Sequence, residues 1–183
     1  MLGVIILDKP PGRSSNQALG ALKRLLGGPK LGFVGTLDPL ATGVLPVFVG
    51  KATKLIPHFE GLFKRYQVTC RLGESTDTLD ADGQVTARAD IGHLSDGQVR
   101  GAILAHQGQQ WQTVPRYAAV KVRGVPAYKL ARQGQAVPEQ QRQVTVWDLE
   151  MQQVALPLAT FSLSCSAGTY VRSLVHQIGQ ELG

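Results

Sequence analysis

The chain has 183 residues, 43% of them hydrophobic, and a formal net charge of +6. That length suffices for one domain with a substantial core, no run approaches the roughly 18 apolar residues of a membrane span, and "MLGVIILDKP" is too short for a signal peptide, so a soluble, cytoplasmic protein with no membrane partner is expected. Two cysteines (Cys70, Cys165) without CxxC spacing and four scattered histidines (His58, His93, His106, His176) offer no ligand pattern, so chemistry without metal or disulfide is expected.

In chain order, "GVIIL" reads as a short buried strand followed by the loop "DKPPGRSS". Ser15 is expected to cap a helix with Ala18, Leu19, Leu22, Leu25 and Leu26 on one stripe, stopped by "GGP". "VLPVFVG" predicts a strand and "KATKLIPHF" a short helix. "RYQVTCRLG" alternates, placing Tyr66, Val68, Cys70 and Leu72 on one face, and "STDTLDADG" is a turn cluster before the strand "QVTARA". Ser95 and Gln98 form a capping box for a helix through His106. "YAAVKV" reads as a strand and "PAYKLARQG" as a short helix ended by Gly134. "QVTVWDLEM" and "ATFSLSCS" alternate as strands, and "GTYVRSLVHQIGQEL" carries a stripe of Val171, Leu174, Val175, Ile178 and Leu182. With no internal repeat or low-complexity linker, this order predicts a single α+β domain over residues 1–183, its sheet mixed and mostly antiparallel.

Charge is unevenly placed. Between Arg116 and Arg142 six basic residues face Glu139 alone, whereas Glu74 to Asp96 carries six acids against Arg88. The basic arm, which includes Tyr117 and Tyr128, is either a solvated surface or an RNA-facing one, where cations contact phosphates and aromatics stack on bases.

Asp38 is the only acid in the 23 residues "GFVGTLDPLATGVLPVFVGKATK", with Gly35 three positions before it, Pro39 directly after and Gly43 five further on. Such a residue is either a turn aspartate or a reagent, and Pro39 fits both readings by pushing Asp38 toward extended angles. Phosphoryl transfer fits poorly, because no further carboxylate for Mg²⁺ follows and "GKATK" lacks the P-loop pattern. A metal-free carboxylate nucleophile would need desolvation and a nearby cation. Arg172 is the candidate: in the first turn of the last helix the dipole disfavours its charge, so it is either a surface arginine or one held by an anion such as Asp38.

With "LDKPPGRSS", "KRYQVTCRLGESTDTLDADG", "YAAVKVRGVPAYKLARQG" and "GTYVRSLVHQIGQELG" in the same order, the Asp38 segment closely resembles the TruB family of bacterial tRNA pseudouridine synthases over nearly the whole chain. The resemblance implies the pseudouridine synthase fold and conversion of a uridine in the T loop of tRNA, conventionally position 55, to pseudouridine on a flipped-out base. It implies that Asp38 is the nucleophile, that Tyr66 lies against the base and takes part in proton transfer, that Arg172 pairs with the nucleophile and that Tyr170 contributes to the substrate pocket. It implies that Lys9 and Pro10 belong to a first motif supporting the active-site loop at the substrate. It also makes residues 115–143 an RNA-gripping insertion, with Lys121, Arg123, Lys129 and Arg132 as phosphate contacts. The expected partner is the tRNA T arm, engaged by a monomer without guide RNA.

Two departures stand out. Phe33 occupies the family's usual His position, which keeps a stacking surface and loses a hydrogen bond, and His176 and Gln177 replace usual acids. The chain also stops at Gly183, where the family continues into a further core segment with a pocket leucine and usually a small RNA-binding domain, so weaker tRNA affinity and exposed edge surface are expected. A guide-RNA-dependent relative is disfavoured by the bacterial form of "DPLATGVLPV" with "GKATK"; an RNA-binding or tRNA-folding module with weak or lost activity is the alternative from another class.

Overall fold

In the computed structural model, which describes residues 2–183, the chain divides into two units, Met1–Leu62 and Phe63–Gly183. The expected strands of the first unit are present as β1 (Gly3–Lys9) and, after helix α1 (Ser15–Leu25) and the three-residue β2 (Leu31–Phe33), as β3 (Gly43–Val49). They form an antiparallel sheet in the order β1-β3-β2. β2 escapes sequence reading because three residues in a glycine-rich run show no alternation.

Gly32 lies opposite Phe48, and a Cβ there would come within 2.6 Å of Ile56 Cδ1. Its bareness lets the following helix settle on the sheet, where Val34, Phe48 and Ala52 form a small core with Ile56. That helix, Gly50–His58, is 3₁₀ and contains Pro57, whose missing N–H works against an α ladder.

The cap of α1 differs from expectation by one residue. Ser14, not Ser15, is the N-cap: its hydroxyl accepts the Gln17 N–H at 3.2 Å, and Gln17 Oε1 accepts the Ser14 N–H at 2.8 Å. Along the stripe Ala18 is buried, but Leu25, the last helical residue, is 83% exposed. There the chain turns away through Gly27 and Gly28, both at positive φ.

The loop after β1 is organised by a buried cation. Lys9 is 0% exposed and its ammonium donates to the carbonyls of Pro10 (2.9 Å), Arg13 (2.6 Å) and Pro39 (3.1 Å). Gly12 N–H donates to the same Pro39 carbonyl at 2.9 Å. Lys9 thus ties the β1–α1 loop to the β2–β3 loop.

The second unit is built on an antiparallel sheet in the order β4-β11-β10-β7. In chain order its elements are β4 (Lys64–Arg71), β5 (Glu74–Thr76), β6 (Val85–Arg88), α2 (Asp96–Ala105), β7 (Gly108–Thr113), β8 (Lys121–Val122), β9 (Val125–Pro126), α3 (Ala127–Arg132), β10 (Gln141–Ala155), β11 (Leu158–Cys165) and α4 (Val171–Leu182). Ser95 and Gln98 cap α2 as expected. "YAAVKV" is only a strand at its last two residues, where β8 and β9 turn tightly through Arg123 and Gly124, both at positive φ. β7, "GQQWQT", also escapes sequence reading: it is an edge strand too polar to show a core-facing pattern. The core joins Cys70, Phe161, Leu163 and Cys165 from the sheet to Val99 and Ile103 of α2 and Leu174 and Ile178 of α4. The architecture is α+β, with antiparallel sheets flanked by helices.

Two outcomes follow from this packing. Replacing Lys9 by Met strips the donor from three carbonyls and is expected to cost about 3 kcal/mol of stability in urea denaturation; a loss below about 0.5 kcal/mol would contradict the clasp. Burial pushes the thiols of Cys70 and Cys165 above the usual value, so the protonated form persists into mildly alkaline solution. At pH 8 a thiol reagent should label neither cysteine in the native protein and both in denaturant, and equal rates in the two conditions would rule out their core placement.

Candidate active site

In the first unit, Asp38 sits half-buried in the loop between β2 and β3, and the peptide groups on both sides of it are fixed. Ser15 Oγ, 1% exposed, accepts the Leu37 N–H at 3.0 Å and donates to the Leu37 carbonyl at 3.1 Å. On the other side Lys9 and Gly12 hold the Pro39 carbonyl, and the Ala41 N–H closes a turn on the Asp38 carbonyl at 3.1 Å. The hydroxyl released from capping α1 therefore holds the residue before Asp38.

Burial lowers the pKa of Lys9, and the negative charge of Asp38 opposes that shift. Lys9 thus faces backbone carbonyls, with Asp38 near enough to sense its charge. Phe33, half-buried on β2, pairs with Val47.

In the second unit, Tyr66 projects from β4 on the same face as Val68 and Cys70, packed against the core as the alternation predicts. Arg172, in the first turn of α4, has a side chain only 11% exposed. Its guanidinium donates to the carbonyls of Thr78 (2.7 Å) and Tyr117 (3.3 Å) and lies 3.5 Å from the Asp80 carboxylate, itself 11% exposed. A largely buried guanidinium with this set of acceptors is held in place.

In the sequence, Asp80 and Thr78 read only as parts of a turn cluster. The structure gives that cluster a definite shape: Asp80 Oδ1 accepts from Thr78 Oγ1 (2.6 Å) and from the Asp82 N–H (3.1 Å), while Thr76 Oγ1 donates to the Asp80 carbonyl (2.7 Å). Leu79 takes a positive φ of 61°, uncommon for a side chain of its type. Gly83 closes the loop where a Cβ would run into Thr78 Oγ1 and lie 2.7 Å from Asp77 Oδ1. The dense run of Asp and Thr was the available signal, but nothing in it pointed to Arg172.

Tyr170 directly precedes α4. The Arg142 guanidinium lies 5.3 Å from its ring centroid and donates to the Gly168 carbonyl at 3.2 Å, a cation over an aromatic face. Gly168, at φ +83°, is bare where a Cβ would sit 2.7 Å from Arg142 Nη1. Between residues 115 and 143, Lys121, Arg123, Lys129 and Arg132 are all exposed, with the Arg132 guanidinium 5.9 Å from the Tyr128 ring. These residues offer a carboxylate on a pinned backbone, aromatic surfaces, a buried guanidinium and a cationic arm. Among the described residues no helix is long and apolar enough to cross a membrane, and no group of three or more His, Cys, Asp or Glu could hold a metal ion.

Comparison with known proteins converges on one family. Residues 23–171 match the family model described as TruB family pseudouridylate synthase (N terminal domain). The tRNA pseudouridine synthase B of Geobacter sulfurreducens is 45% identical over 183 residues, covering 100% of this chain and 60% of that protein. The protein of the same name from Opitutus terrae is 41% identical, covering 99% of this chain and 75% of its own length. Among solved structures, a chain of a Cbf5-Nop10-Gar1 complex matches with a TM-score of 0.73 at 29% identity, over 99% of this chain and 44% of that one. A chain of an H/ACA RNP bound to a substrate RNA containing 2'-deoxyuridine gives 0.71 at 27% identity, over 99% and 43%. The chain thus spans about three-fifths of relatives such as the Geobacter protein. Matched over most of its length by the family model and at this level of identity by whole-chain relatives, it belongs to the TruB family of pseudouridylate synthases, to which it contributes the N-terminal domain.

Proposed function

We propose that this chain acts on tRNA as the catalytic domain of a pseudouridine synthase, converting uridine 55 of the T loop on a flipped-out base. The observation that carries the reading is Asp38: a carboxylate whose neighbours on both sides are held by buried side chains, Ser15 on Leu37 and Lys9 on Pro39. Such fixing is what a nucleophile needs, since orientation removes much of the entropic part of a barrier.

The reaction breaks the bond from ribose C1' to uracil N1 and forms one from C1' to C5. The C5 proton is lost and N1 gains one, so atoms and electrons balance within the isomerisation. Asp38 supplies the nucleophile and Arg172 a cation for the pocket. Tyr66 gives a flat wall for the base and takes part in proton transfer, Tyr170 lines the pocket, and Phe33 offers an apolar surface to the loop that the base vacates. Extruding the base costs a few kcal/mol, which stacking and pocket contacts offset. Lys121, Arg123, Lys129 and Arg132 contact phosphates. The protein works as a monomer, without guide RNA.

A T-arm transcript supplied without guide RNA or accessory protein should be converted, and Asp38→Asn should lower the single-turnover rate by at least about a thousandfold. Equal pseudouridine from both proteins would remove the nucleophile assignment; binding without turnover by the unaltered chain would favour an RNA-binding or tRNA-folding role. Replacing Lys121, Arg123, Lys129 and Arg132 by Ala should flatten the dependence of log K on log salt by about 0.7–0.9 for each phosphate that is no longer neutralised. An unchanged slope would place the RNA elsewhere.

A further inference from the structure

Three helices of this protein begin with the same contact, and one of them obtains it from elsewhere in the chain. At α1 the N-cap N–H of Ser14 is accepted by Gln17 Oε1 at 2.8 Å, and at α2 that of Ser95 by Gln98 Oε1 at 2.9 Å. These are capping boxes, each glutamine three residues inside its own helix. At α4 the N-cap is Tyr170, whose side chain makes no capping bond. Its N–H is accepted at 2.7 Å by Oε1 of Gln112, a residue of β7 that is 1% exposed.

The residues flanking Gln112 continue the attachment. β7 is the edge strand of its sheet. The Trp111 carbonyl accepts from Gln177 Nε2 at 3.2 Å and the Thr113 carbonyl accepts from Ser173 Oγ at 2.7 Å. The spacings match: residues four apart on a helix rise about 6 Å, and carbonyls two apart on a strand are about 6.8 Å apart. Helix α4 is therefore set against the strand edge in one register, with Gln112 fixing where the helix begins.

We infer that Gln112 is a positioning residue for Tyr170 and Arg172, an inference that rests on the pocket and charge roles proposed for those two side chains. Gln112 takes the part that Gln17 and Gln98 play at the third residue of their own helices, which in α4 is Ser173, and so leaves Ser173 to bond the Thr113 carbonyl. Arg172, two residues after Tyr170, takes its starting point from the same bond. The Gln112 Nε2 group is buried without a hydrogen-bond partner among the described residues. Only the oxygen end of the amide is therefore used, and Glu, which burial favours in its uncharged form, keeps an accepting oxygen at the same length.

The test compares Gln112→Leu with Gln112→Glu in the full chain, reading single-turnover pseudouridine formation, tRNA affinity, folded fraction and hydrogen exchange of the Tyr170 amide. The Leu variant should be slower by about tenfold to a hundredfold, the range expected for misplacement on the ångström scale. Its tRNA Kd should stay within about twofold, because Gln112 is not placed at a phosphate, and its Tyr170 amide should exchange faster. The Glu variant should recover the rate to within about threefold and restore protection of that amide. A Leu variant with unaltered rate and protection, a loss matching only the unfolded fraction, or a folded Glu variant as slow as Leu would each overturn the assignment. If the Leu variant does not fold, the Glu variant decides by the same rate and protection criteria. An unaltered chain that forms no pseudouridine would defeat the proposed function instead, and Tyr170 exchange in the variants would then decide the role of Gln112.

Discussion

The first unit depends on one buried cation. Lys9 is held away from water, and burying a charge is tolerable only when it is fully hydrogen-bonded. Three carbonyls meet that demand, and they belong to two different loops. The desolvation that lowers the pKa of Lys9 thus also requires the Asp38 loop to lie where it does. Ser15 adds a neutral version of the same device, one hydroxyl answering both backbone groups of Leu37. Between these two anchors the backbone at Asp38 has little freedom left.

The second unit solves a related problem in another way. Two of its side chains proposed for the pocket, Tyr170 and Arg172, lie at the start of α4, where a helix leaves N–H groups unsatisfied. Side chains of α4 bond to two carbonyls on the edge of β7, so the same contacts that seat the helix also cover a strand edge that would otherwise be open to pairing. Arg172 then draws the Thr78–Asp80 loop and the segment at Tyr117 onto one guanidinium.

Features with local causes were legible in the sequence. Asp38 stood out because Gly35, Pro39 and Gly43 constrain it from within a few residues, and Ser95 was identified as a cap because Gln98 follows at the right interval. The same interval, from Ser14 to Gln17, would have chosen the correct serine for α1, and with it released Ser15 for Leu37. The strands "RYQVTCRLG" and "ATFSLSCS" alternate because one face of each meets the core. β7 does not, since it is held through its edge and by the polar residue Gln112. Asp80 was missed for a different reason: its partner lies far along the chain, and Arg172 donates to the neighbouring Thr78 across 94 residues. Nothing in composition or periodicity encodes a pairing at that distance.

The inward turn of Lys9 also bears on how the molecule looks from afar. A formal charge of +6 counts a lysine wholly inside the protein and an arginine closely paired with Asp80, and neither contributes much to the field that an approaching polyanion meets. The long-range attraction comes instead from cations that reach solvent. In the second unit these include Lys121, Arg123, Lys129 and Arg132, a run interrupted by no acid before Glu139. The field that a polyanion meets is therefore set by such solvent-reaching cations, and hardly at all by Lys9 or Arg172.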